Sequence, residues 1–159
     1  MNVLAVIRPD DWNFPLLVHV LGAALLVGGL LTAVVAQFLG WRRQRSADAV
    51  AYARTTFRAL LFVAFPAWWI MRIGAEWIYR REGWEDVESE PDWLGIGYIT
   101  ADLGGLLLLV SIILAGLGAR RLARTGGETS TLLRISTVLV TLALVAYVVA
   151  VWAMAGKPG

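Results

Sequence analysis

From Phe14 to Gly40 the chain carries no formally charged side chain. That run is longer than the roughly 20 apolar residues a helix needs to cross a bilayer core, so it sets the terms for everything around it. It also contains the single histidine of the protein, His19. Helical spacing puts His19, Gly22, Leu26, Gly29, Ala33, Ala36 and Gly40 on one stripe. Small residues let helix backbones approach closely, so this stripe is expected to face other helices and to carry His19 inward.

Three more apolar stretches follow, at about residues 59–79, 96–119 and 135–156, against about 14–40 for the first. With 58% hydrophobic residues in a chain of 159, the whole sequence reads as one all-α domain: an integral membrane four-helix bundle. Pro66 lies inside the second stretch and is expected to kink that helix. Residues around Asp48–Thr56 fit a basic amphipathic surface helix before it. There is no cysteine, which excludes disulfides, iron–sulfur clusters and thiolate metal sites.

The net charge of +2 does not point to nucleic acid, because the arginines flank the apolar segments and form no stripe of their own. Arg8-Pro9-Asp10-Asp11 precedes the first run and Arg42, Arg43 and Arg45 follow it, the reverse of a cleavable signal, so the first helix is retained. The first connection holds Arg42, Arg43, Arg45, Arg54 and Arg58, and the third holds Arg120, Arg121, Arg124 and Arg134. The second is acidic, with Glu82, Glu85, Asp86, Glu88, Glu90 and Asp92. The positive-inside rule then places the basic connections in the cytoplasm and both termini outside, in the inner membrane of a bacterium.

Given that topology, several polar side chains fall in one layer. At 1.5 Å per residue, His19 lies about 10 Å below Trp12, Arg72 about 12 Å below Arg80, and Asp102 about 13 Å below Trp93. Glu76 and Tyr147 join them. Arg72 and Glu76 are i,i+4 neighbours, with Trp68 or Trp69 placed to stack on the guanidinium. Asp102 shares a stripe with Tyr98, Gly105, Leu109 and Gly116, which aims it at the bundle, where Arg72 is its obvious partner. If Arg72 bridges both acids, His19 remains a neutral, titratable group beside an ion network, suited to proton relay or cofactor ligation.

Two ligand sets can be written from these residues. His19 with Glu76 and Asp102 would make a hard, open metal site, with Arg72 repelling the cation. For haem b, His19 would be one axial ligand and Met71 or Met154 the other, with Arg72 and Lys157 on the propionates. No Walker loop, nucleophile elbow, zinc spacing or nucleic-acid motif is present; the Gly-Gly pairs belong to helix packing.

Several residues carry a family likeness. They are Phe14, His19, Gly22 and Gly29 in the first helix, Arg58 before the second, and Pro66 within it. Trp93-Leu94 opens the third, Arg134 precedes the fourth, and Lys157-Pro158 closes the chain. In these the chain resembles the uncharacterised bacterial integral membrane proteins grouped with the copper-resistance CopD proteins and the HemJ-type protoporphyrinogen oxidases. The resemblance implies a four-helix core with His19 in the place of the haem-linked histidine. Gly95 and Gly97 stand where the HemJ-type enzymes tend to carry a histidine and a lysine.

Two functional readings result. In one, His19, Arg72, Glu76, Asp102 and Lys157 bind haem or another redox cofactor or relay protons. In the other, the protein is a non-catalytic accessory or assembly subunit of a larger membrane complex, and the polar residues are structural. The partners expected are the lipid bilayer, with other membrane subunits or further copies of the chain.

Overall fold

The computed structural model describes residues 13–44, 46–84, 91–126 and 130–156. Among them, four helical rods are long and apolar enough to cross a membrane. The first is α1 (Phe14–Arg42). The second is continuous: α2 (Ala47–Ala59), a π-helical turn (Leu60–Ala64) and α3 (Phe65–Arg81). The third is α4 (Asp92–Arg124) and the fourth α5 (Thr131–Gly156).

Local chemistry explains most of the ends. Asn13 caps α1 by accepting from the Leu16 N–H at 3.2 Å, and Pro15 sits in the first turn, where its missing donor costs nothing. After α1 the chain reverses through Arg43, whose guanidinium meets Asp48 in the first turn of α2 at 2.7 Å. That hydrogen bond, and then the charge of Asp48, raise the Arg43 pKa above its ordinary value. Gly83 and Gly126 follow α3 and α4 with φ of +73° and +69°, the left-handed geometry that favours glycine.

Two boundaries depart from the sequence expectation, each for a physical reason. The proposed surface helix around Asp48–Thr56 is the first part of the second rod, because Phe57 and Leu60 continue the buried face of Ala49, Ala53 and Thr56 without a break. The third rod runs from Asp92 to Arg124, longer than 96–119, with the acid in its first turn and arginines in its last. Both complement the helix dipole and extend the rod past its apolar span.

Pro66 lies at the start of α3, directly after the π turn. In that turn the Phe65 N–H donates to the Leu60 carbonyl, one residue further back than in an α-helix. The wider coil is the usual way to relieve a proline that removes a donor and crowds the carbonyl four residues earlier.

The rods form a closed antiparallel ring in chain order: α1 lies along α2 and α3, the second rod along α4, α4 along α5, and α5 returns to α1. The α3–α4 contact is slight, and the two rods meet more fully through α2. Leu26, Leu30, Leu60, Ala64, Leu108, Val140, Ala143 and Tyr147 fill the centre. Large apolar side chains cover the outside, among them Val20, Leu25, Phe62, Ile73, Ile113, Val145 and Trp152, each about half exposed or more. An exterior of that kind belongs to a multi-pass protein whose solvent is lipid.

Lipid gives no hydrophobic drive between helices, so close packing and interhelical hydrogen bonds hold the ring. Along the α1–α3 seam the backbones touch. A Cβ on Gly74 would lie 2.6 Å from the His19 backbone nitrogen, and one on Gly22 would strike the Met71 backbone. Elsewhere glycines receive side chains: Gly105 takes Trp68, Gly104 takes Tyr147 and Gly116 takes Phe57.

Candidate functional site

α3 meets α4 through two polar contacts of different character. Deeper in the bundle, Trp68 of α3 donates its indole N–H to the Ala101 carbonyl at 2.9 Å. The Tyr147 hydroxyl of α5 donates to the same carbonyl at 3.5 Å. One carbonyl of α4 thus joins three rods, using the lone pair left over from its own helical bond.

One turn further along α3, at Arg72, the contact becomes ionic. Arg72 reaches Asp102 of α4 at 3.4 Å through Nε and Glu76 at 3.7 Å through Nη1. Arg80 closes on Glu76 at 3.1 Å. The Arg72 guanidinium lies over the Tyr98 ring, 4.7 Å from its centroid. The sequence placed Arg72 between both acids, and the structure does so; the stacking ring comes from α4 rather than from Trp68 or Trp69. Trp68 is turned to α4 and meets Trp69 edge-on.

The placement of this ladder corrects an expectation. Asp102 was expected to point at the bundle, within a buried layer. Its side chain is 65% exposed, that of Glu76 42% and that of Arg72 24%. The cause is the slight α3–α4 contact: Trp68 packs between the rods on the inside, leaving Arg72 and Asp102 to meet on the outer side. On that outer side α3 presents an open face lined by Trp69, Arg72, Ile73, Glu76, Trp77 and Arg80. Its lining residues recur at i, i+3, i+4, i+7, i+8 and i+11, one face of a helix.

His19 lies elsewhere. It is half-buried on the α1–α3 seam, and its Nδ1 is 3.0 Å from the Met71 carbonyl oxygen. A carbonyl only accepts, so Nδ1 carries the proton in this contact. Among the described residues His19 makes no ion pair with Glu76 or Asp102. No group of three or more His, Asp or Glu side chains converges among them either. The three-residue metal site is therefore not assembled: Met71 and Arg72 are adjacent in sequence but about 100° apart around α3, so His19 and the acids meet different faces of it.

Haem b fares no better. A macrocycle at His19 would have to enter a seam where Gly74 and Gly22 already bring the backbones into contact. Met71 is buried in the core, Met154 lies against Gly97 of α4, and Arg72 is engaged by two acids. Lys157 and Trp12 lie outside the described residues. The described residues do not fit haem b held between α1 and α3. We expect the purified protein to show no Soret band, and His19→Ala to cost about 1 kcal/mol as the loss of one interhelical hydrogen bond. A haem spectrum abolished by that substitution would overturn this assignment.

The sequence reading missed the polar groups at the opposite, basic end of the bundle. Thr56 donates to the Ala33 carbonyl at 3.3 Å, Ser136 to the Ser111 carbonyl at 3.1 Å, and Gln37 is 4% exposed. The signal for Gln37 was present: it is the one amide in an uncharged run and follows Ala33 by one helical turn.

Compared with family models, curated proteins and solved structures, the chain matches none.

Proposed function

We propose that this protein is a non-catalytic accessory or assembly subunit of a membrane complex. It docks a partner's transmembrane helix on the outer face of α3 beside the Arg72–Asp102 pair. The observation that carries the reading is the 65% exposure of the Asp102 side chain, about 15 Å along α4 from its start. A charged side chain at such depth costs several kcal/mol against hydrocarbon and normally faces protein or a water-filled cavity.

Charge pattern narrows the occupant. Arg72 and Arg80 balance Glu76 and Asp102, and each is already paired. This face therefore asks for no counter-ion; it asks for cover and for hydrogen bonds. A helix bearing small and hydroxyl or amide side chains supplies both, and Trp69 and Trp77, each about half exposed, flank the polar centre as apolar contacts. In this reading the basic connections lie in the cytoplasm of a bacterial inner membrane and both termini outside, as the arginine distribution favours. The second rod bends at its π turn and Pro66, and the likeness to the CopD and HemJ-type proteins is one of fold.

Photo-crosslinking in native membranes tests the docking. With p-benzoylphenylalanine at Trp69, a discrete protein adduct is expected; at Val145, exposed on α5, none. An adduct at twice the mass of the chain would identify the partner as a second copy. Lipid adducts alone at both positions would overturn the reading.

A further inference from the structure

At the basic end, far from the outer face of α3 and independent of its role, all four rods meet around a cavity of about 20 Å³. Gln37 lines it from α1, Gln44 from the turn just after α1, Ala49 and Ala53 from α2, Leu122 from α4 and Leu133 from α5. Among the described residues, neither the amide nitrogen nor the amide oxygen of Gln37, both buried, has a hydrogen-bond partner. Buried polar side-chain atoms are seldom left so, and one that is implies a group still to be supplied.

Two features say what that group is. Roughly 10–15 Å³ suffices for one water molecule, so the cavity accepts one and excludes a lipid headgroup or a metabolite. Its partner must accept from Nε2 and donate to Oε1, and water does both. Gln44 is exposed in the turn that follows α1 and lines the same cavity as Gln37. Gly40, Ala49 and Ala53 add little side-chain bulk to the wall between them.

We propose that this cavity is a water site: an inlet running from the aqueous surface at Gln44 to an ordered water held by Gln37. Water therefore enters the bundle from the basic end, at the junction where the four rods meet, while the opposite half is closed around Trp68 and Tyr147.

Hydroxyl-radical labelling by pulsed X-rays, read by mass spectrometry on the intact protein in nanodiscs, tests it, because radicals form where bound water sits. Leu122 and Leu133 are 4% and 6% exposed, and Leu26 and Leu30 are 0% exposed. The site predicts labelling of Leu122 and Leu133 several-fold above Leu26 and Leu30, falling to their level in Gln37→Leu. Ala53→Leu fills the cavity from the other side with the amide intact and is expected to give the same loss. Leu122 and Leu133 as silent as Leu26 in the unmodified protein, or labelled unchanged in the two variants, would overturn the proposal.

Discussion

Arg72→Leu is expected to destabilise the bundle by about 3 kcal/mol, the low end for breaking an ion pair out of water by removing one partner. The substitution leaves Asp102 without its cation on a lipid-facing surface and leaves Glu76 with Arg80 alone. Asp102→Leu is expected to cost less, about 1 kcal/mol, since Arg72 keeps Glu76 and the Tyr98 ring. The double substitution Arg72→Leu with Asp102→Leu replaces the pair by apolar side chains and should recover much of the loss. Unfolding measured in bicelles supplies all three values. A double variant as unstable as the sum of the singles would show that the residues do not interact.

Gly74→Val should be comparably damaging for a different reason. The added Cβ would lie 2.6 Å from the His19 nitrogen and 2.8 Å from its Cα. Both are backbone atoms, so only a separation of α1 from α3 relieves the contact, and the His19–Met71 hydrogen bond is lost with it. Overpacking of this kind costs up to about 3 kcal/mol. Gly28→Val is the internal control. Nothing lies within 4 Å of a Cβ there, and the change should stay within about 0.5 kcal/mol. Equal effects at the two glycines would mean that the seam is not backbone on backbone.

The glycine stripe of α1 shows how far the sequence reached. Gly22 and Gly29 were expected to face other helices, and they meet the backbones of Met71 and Ala64. Periodicity suffices there because a small residue in lipid has little other reason to recur on one face. The four-rod, all-helical architecture was legible for the same reason, since apolar length alone identifies a spanning helix. The Arg72 pairs were legible too, one from i,i+4 spacing and one from matching depth.

What periodicity could not give was the angle at which each stripe meets its neighbours. Asp102 shares its nominal stripe with Gly105, yet Gly105 is buried under Trp68 while Asp102 is exposed. The decision between them rests on one indole bonding to one carbonyl, a tertiary detail with no local signature. His19 failed similarly: depth put it beside the ion ladder, and the facing of α3 put it on the other side of that helix. The continuity of α2 with α3 was hidden by arginines at 54 and 58, which read as part of a connection carrying a separate surface helix although both project outward.

The central claim is that the Arg72–Asp102 surface lies outside the bundle and is covered in the membrane by another protein. Because the chain has no cysteine, Ile73→Cys and Val145→Cys each offer a unique site; the native residues are 57% and 56% exposed. A nitroxide on each reports collision with dissolved oxygen, which concentrates in lipid. For the purified protein in vesicles, the account predicts high and similar oxygen accessibility at both positions. In native membranes it predicts a several-fold drop at position 73 with position 145 unchanged. Equal accessibility at 73 in the two settings would contradict it.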